Sequence, residues 1–236
     1  MEPCYTGIDE TEVIPLAKNV YSLVLLDNVV DAVDQLACER STSRSGLVNQ
    51  ILAEYLSCPT PESRIRDIFG RMEQLFAGID SFQFREQPSE NMVSLRSALH
   101  YRYRPTARYV LELYREPGPY LGELKVSFRT QSSGLLELSE SFFRFWKSLE
   151  ERGAASLFPG GEVSASAEPG RYLRRLRCPR NESDRSGEKI ARAMLDYIRA
   201  FDSAMKEYFA GTEDAADTER RIEAEYWNRR NDFATL

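Results

Sequence analysis

The chain has 236 residues, with 31 Lys+Arg against 37 Asp+Glu, a net charge of −6 and 42% hydrophobic residues. That apolar share excludes disorder of the whole chain and leaves material for one or two folded domains. No apolar run reaches the roughly 18 residues of a membrane helix, and the opening MEPCYTGIDETEVIP is acidic where a secretory signal is basic and then apolar. A cytoplasmic protein with no membrane contact is expected. Cys4, Cys38, Cys58 and Cys178 lie far apart with no CxxC pair, so they read as reduced thiols, and His100 is the only histidine. A zinc site, a His-based triad and a HExxH helix are thereby disfavoured, and no Walker loop, GxGxxG or GxSxG occurs. The expectation is a non-enzyme without catalytic residues, metal or cofactor.

Residues 1–16 carry Glu2, Asp9, Glu10 and Glu12 without apolar periodicity and read as a flexible acidic arm. The segment 18–26, KNVYSLVLL, is rich in β-branched and aromatic residues and is one strand long. Asp27 is the expected N-cap of a helix with Val29, Val30, Val33, Leu36 and Ala37 at helical spacing, while Asp31, Asp34 and Gln35 face out. After a turn, Ser43 caps a second helix whose stripe is Leu47, Val48, Ile51, Leu52, Tyr55 and Leu56. The lone strand has nothing to pair with inside this module, and unpaired backbone groups are costly. A second copy supplies the missing strand, so an obligate homodimer is expected, with the broad stripe of the second helix in the same interface.

The run VYSLVLLDNVVDAVDQLACERSTSRSGLVNQILAEYL resembles the ribbon-helix-helix fold of the Arc, MetJ and CopG repressors. The likeness rests on the strand running into a helix start, on Asp34-Gln35-Leu36-Ala37 at the end of the first helix, and on Ser43-Arg44-Ser45 opening the second. It implies a dimeric β-ribbon in the DNA major groove with the N-termini of the second helices on flanking phosphates. On alternation, Tyr21, Leu23 and Leu25 point into the dimer with Leu47, Val48, Ile51, Leu52 and Tyr55, and Lys18, Val20, Ser22 and Val24 point outward. By resemblance Val20, Ser22 and Val24 take the base-reading positions, although relatives carry longer polar or basic side chains there. Ser43-Arg44-Ser45 reads either as a phosphate clamp or as a simple N-cap. The module carries three cations, Lys18, Arg40 and Arg44, against five acids, Asp27, Asp31, Asp34, Glu39 and Glu54, a net −2. With Asp31, Asp34 and Glu54 placed away from the phosphates, Lys18 and Arg44 are the cations in contact range. Four such contacts per dimer imply a salt slope of about −4 or shallower, so that higher oligomers on DNA are needed for useful affinity.

Pro59 and Pro61 mark a linker, with Thr60 and Pro61 as N-cap and first residue of a third helix ending near Gly78. An antiparallel meander follows. Leu95, Ser97, Leu99, Tyr101 and Tyr103 alternate with Arg96, Ala98, His100, Arg102 and Arg104, then come strands centred on Tyr109–Leu113 and Leu124–Phe128. A helix over 133–151, a loose segment over 153–170, a short basic strand over 171–177 and a helix over 187–210 complete the reading. The fold class is therefore α+β: a ribbon-helix-helix module over 17–58, then a two-layer domain over 59–211 of antiparallel sheet covered by helices, then a charged tail over 212–236. The basic stripe of Arg96, His100, Arg102, Arg104, Arg108, Lys125 and Arg129 is either a solvated face with cross-strand ion pairs or a surface for an anionic ligand or nucleic acid. The leading function is a homodimeric regulator binding double-stranded DNA, whose second domain oligomerises or senses a ligand. The alternatives are a module used only for assembly in a protein-interaction protein, and an antitoxin-like chain binding a protein through the tail near Trp227.

Overall fold

A computed structural model describes residues 20–58, 60–86, 89–99, 105–116, 118–157, 163–210, 214–233 and 236. The chain divides into two compact units, Met1–Thr60 and Pro61–Leu236.

In the first unit α1 (Asp27–Glu39) and α2 (Arg44–Tyr55) form a helical pair. Leu26, not Asp27, holds the N-cap position of α1 and makes no side-chain cap bond. Asp27 sits instead in the first turn, where a carboxylate meets the positive end of the helix. Ser43 caps α2, its Oγ accepting from the Gly46 amide at 3.1 Å. A Cβ on Gly46 would lie 3.0 Å from the Ser43 hydroxyl and 3.1 Å from that of Thr42, so glycine leaves the cap uncrowded. Val33, Ala37 and Leu47 form a small core, with Leu36 and Val48 packed on it. The strand expected over 18–26 is not formed in the single chain. Residues 20–26 have no regular secondary structure and are exposed, and Lys18 lies outside the described residues. The physical reason is the one that predicted a dimer: a strand without a ladder partner gains no backbone hydrogen bonds to offset its ordering.

The second unit is an α+β fold. Its six strands, β1 (Phe82–Glu86), β2 (Met92–Ala98), β3 (Thr106–Leu113), β4 (Tyr120–Phe128), β5 (Ala165–Glu168) and β6 (Arg171–Arg177), form one sheet in the order β1-β2-β3-β4-β6-β5. Every pairing is antiparallel. The meander β2-β3-β4 and the basic strand β6 follow the alternation in the sequence. The edge strands β1 and β5 were not anticipated: FQFRE is short, and ASAE has no β-branched residue. β5 is held by its ladder to β6 across Pro169-Gly170, where Gly170 takes φ +72°, a conformation that favours glycine after proline in a tight turn.

One face of the sheet is covered by α3 (Pro61–Phe76), α4 (Ser133–Leu157) and α5 (Gly187–Ala210). Phe201 of α5 makes ring contacts with Tyr109, Phe142, Trp146 and Tyr172, so strands and helices meet in one aromatic centre. The segment set apart as a charged tail contains α6 (Ala215–Phe233), whose Ile222, Tyr226 and Phe233 are buried in this core. Few anchors among many charges are enough because Tyr226 lands on Trp146 and Phe233 on Tyr197. A cleft lined by Trp146, Ala204, Ile222, Tyr226 and Arg229 has space for about one water, far from the several hundred Å³ of a small-molecule site.

Two polar clusters are sealed inside. Asp202 of α5 accepts from the Tyr109 hydroxyl at 2.8 Å and the Ser97 hydroxyl at 3.0 Å, and pairs with Lys206 at 2.7 Å. Glu150 of α4 meets Arg174 of β6, the Nε and Oε1 atoms 2.7 Å apart, and both side chains are over 90% buried. Neither of those two atoms completes a hydrogen bond, so the contact is an ion pair off the hydrogen-bonding direction. Glu150 accepts instead from Tyr172, and the Arg174 guanidinium lies 4.3 Å over the Tyr197 ring while donating to the Leu236 carbonyl. Burial pushes the Glu150 carboxyl up against the pull of Arg174 and Tyr172. Burial works against the Arg174 cation, but Glu150 and the surrounding tyrosines outweigh it and hold its pKa above the ordinary arginine value. No helix among the described residues is long and apolar enough to cross a membrane.

Candidate nucleic-acid interface

The residues expected to touch DNA lie in two stretches of the first unit. Val20, Ser22 and Val24 are exposed, and so are Ser43, Arg44 and Ser45 at the start of α2. All of residues 20–26 are exposed, to differing degrees. Val20 and Val24 are 99% and 102% exposed, whereas Leu23 and Leu25 are 59% and 42% exposed. Tyr21, expected on the inward side with Leu23 and Leu25, is 80% exposed.

The stripe of α2 is split along its length. Leu47 is fully buried and Val48 partly so, whereas Ile51, Leu52, Tyr55 and Leu56 are exposed. All eleven exposed large hydrophobics, from Val20 to Leu56, lie in this unit among the described residues. Exposed apolar side chains among the described residues are thus concentrated on this helical pair and the run leading into it.

Arg44 does not stand free. Its guanidinium makes two side-by-side contacts to the Asp34 carboxylate, Nε to Oδ1 and Nη2 to Oδ2, which tie the start of α2 to α1. The hydrogen bond and charge of Asp34 hold the Arg44 pKa above its ordinary value. The sequence reading kept Asp34 away from the phosphate contacts and missed this pair; the ten-residue separation spans a helix turn and a loop, and no periodicity rule links the two. A bidentate Arg–carboxylate contact uses the same fork that grips a phosphate, so Asp34 occupies the donors that a phosphate would need. Ser43 and Ser45 hydroxyls lie 3.4 Å apart beside the first α2 amides. They provide a cap and a polar rim rather than charge.

In the second unit Arg96 and Arg108 lie on the sheet face opposite the helices, joined by Arg171 and Arg175 from β6, whereas Arg174 points into the core. His100, Tyr101, Arg102, Tyr103 and Arg104 fall outside the described residues. Lys125 pairs with Glu112 on the neighbouring strand and with Glu123 two residues earlier on its own. Cys38, Cys58 and Cys178 are free thiols, and no cluster of metal-ligating side chains occurs among the described residues. Comparison with protein-family models, with curated proteins and with solved structures finds no match to this chain.

Proposed function

We propose that this chain is a ribbon-helix-helix type DNA-binding regulator that acts as a homodimer. The observation that carries the reading is the exposed apolar run 20–26, unpaired within the described chain and leading directly into α1, beside an α2 whose second half is apolar and open. Pairing with the same run of a second copy satisfies the backbone groups of both and covers Leu23, Leu25, Ile51, Leu52 and Tyr55. The ribbon then presents Val20, Ser22 and Val24, and the α2 N-termini present their amides to phosphate.

An Ile51→Asp chain is expected to raise the dimer Kd by at least about 100-fold, equivalent to ~3 kcal/mol, because an unpaired carboxylate enters an apolar interface. Sedimentation equilibrium checks this, and a wild-type chain that sediments as a folded monomer at micromolar concentration sinks the proposal. DNA binding is tested by gel shift on the upstream region of its own gene, comparing wild type with Arg44→Ala and Ser22→Ala. Arg44→Ala is expected to weaken binding to all sequences and Ser22→Ala to change sequence preference. If all three bind equally or not at all, the module serves assembly alone. That second reading is favoured by one observation, the Asp34 carboxylate on the only described cation at the start of α2.

The competition has its own readout. Asp34→Asn releases two guanidinium groups per dimer, so the log–log salt slope of DNA binding is expected to steepen by about 2, at roughly −0.9 per phosphate contact. An unchanged slope would show that the Asp34 carboxylate does not decide whether Arg44 reaches a phosphate, and the competition would fall.

A further inference from the structure

The residues of Pro61–Leu236 carry 28 basic and 28 acidic side chains, so this unit has no net charge, yet its sheet does not share that balance. The face turned away from the helices bears Arg85, Arg96, Arg108, Lys125, Arg171, Arg175 and Arg177 against Glu112, Glu123 and Glu168. The charges are also ordered. Arg96 is in register with Arg108, Arg108 with Ser127, and Ser127 with Arg171, which makes one row straight across β2, β3, β4 and β6. The three arginines are exposed and have no ion pair among the described residues, although Glu168 faces Arg171 from β5. The acids on this face that do pair hold Lys125, one row away.

Like charges placed directly opposite on neighbouring strands destabilise a sheet. Arg96 against Arg108 is such a pair, and a protein anion to neutralise it is missing from the described surroundings while carboxylates are spent on Lys125. The shape of the missing anion follows from the spacing. Strands lie about 4.8 Å apart, so Arg96 to Arg171 spans ~14 Å, about four phosphates of a nucleic-acid strand at a rise of roughly 3.4 Å each. Base stacking needs free rings, and the described tyrosines on this face are engaged, Tyr120 by Arg175 at 5.7 Å and Tyr114 through its hydroxyl by Glu123 at 3.1 Å. A membrane surface calls for apolar anchors among the cations, and no exposed large hydrophobic occurs in the described part of this unit.

We propose that the open face of the sheet is a sequence-independent contact for the phosphate backbone of double-stranded DNA, made by Arg96, Arg108 and Arg171 with Arg85 at its margin. It extends the reading of the N-terminal unit without requiring it. The row supplies the cations that the net-negative first unit lacks.

The test uses the full-length chain and a mixed-sequence duplex of about 30 base pairs, read by fluorescence anisotropy across a salt series. The triple variant Arg96→Gln/Arg108→Gln/Arg171→Gln is expected to have a slope shallower by about 2.7 per protomer. Between about 50 and 200 mM salt, wild type should lose roughly 40-fold more affinity per protomer than the variant. The thermal midpoint of the variant should equal or exceed that of wild type, which separates lost contact from lost fold. An unchanged slope, or no binding of wild type to the duplex at about 50 mM salt, overturns the proposal. So does wild-type binding to phosphatidylserine vesicles that the triple variant abolishes while duplex binding persists, which assigns the face to a membrane. If Arg44→Ala lowers the slope and the triple variant does not, the sheet proposal alone falls. If the triple variant lowers it while Arg44→Ala and Ile51→Asp are neutral, the N-terminal reading falls and the sheet contact stands.

Discussion

Replacing Arg174 by alanine is expected to lower the free energy of unfolding by about 3–5 kcal/mol, because it leaves the Glu150 carboxyl buried without its cation. That is a large part of the roughly 5–15 kcal/mol that holds a typical domain. The loss comes from the abandoned partner more than from the pair itself. Glu150 sits at 2% exposure against aromatic rings, with only the Tyr172 hydroxyl left to solvate it. Replacing both groups together, as Glu150→Met/Arg174→Met, should recover most of the loss, since a buried pair roughly breaks even against well-packed apolar side chains. What remains is the Tyr172 hydroxyl without an acceptor, about 1–3 kcal/mol. Urea unfolding of the two variants against wild type measures this, and an Arg174→Ala chain within about 1 kcal/mol of wild type would mean that water reaches Glu150.

Alkaline pH should strike the same core through its tyrosines. Tyr109, Tyr172 and Tyr197 are held well above the ordinary tyrosine pKa by burial, reinforced by the Asp202 carboxylate at Tyr109 and by Glu150 at the other two. Burial raises Tyr226 as well, again beside Glu150. In each case the folded value lies above the unfolded value of 10.0. The stability tied to the protonated hydroxyl is thus complete below pH 10 and is lost as pH rises toward the folded values. Four such groups give a fall of about 5 kcal/mol per pH unit above pH 10, at about 1.4 kcal/mol each. The tyrosinate absorbance of Tyr109, Tyr172, Tyr197 and Tyr226 should therefore appear only as helical circular dichroism is lost. A single smooth titration ending before unfolding would refute the sealed environment of these hydroxyls.

Much of the second unit is written in local periodicity. Gly187–Ala210 was legible as a helix from Ile190, Met194, Tyr197, Phe201 and Met205, because a 3.6-residue repeat sustained over about four turns has no competing reading. The strands around Leu95, Tyr109 and Leu124 were legible for the analogous period of two. The ion pair of Arg174 was not legible. In RYLRRLR alternation sets Arg174 with Tyr172 and Leu176, apart from Arg171 and Arg175, but only the folded chain brings Glu150 of α4 to that face. Trp227 and its neighbours looked like a tail, because sequence counts anchors and cannot see that Tyr226 meets Trp146.

The sequence by itself determined where α2 and α3 begin, through Ser43 and Pro61, and which side chains of each periodic segment share a face. It also determined that the run after Lys18 has no mate in its own module. Tertiary structure alone decided which arginines are buried and which align across strands, and that Asp34 holds Arg44. The reason is physical: periodicity is a property of neighbouring residues, whereas charge pairing and strand register are set by segments that meet only after the chain has closed tens of residues of loop.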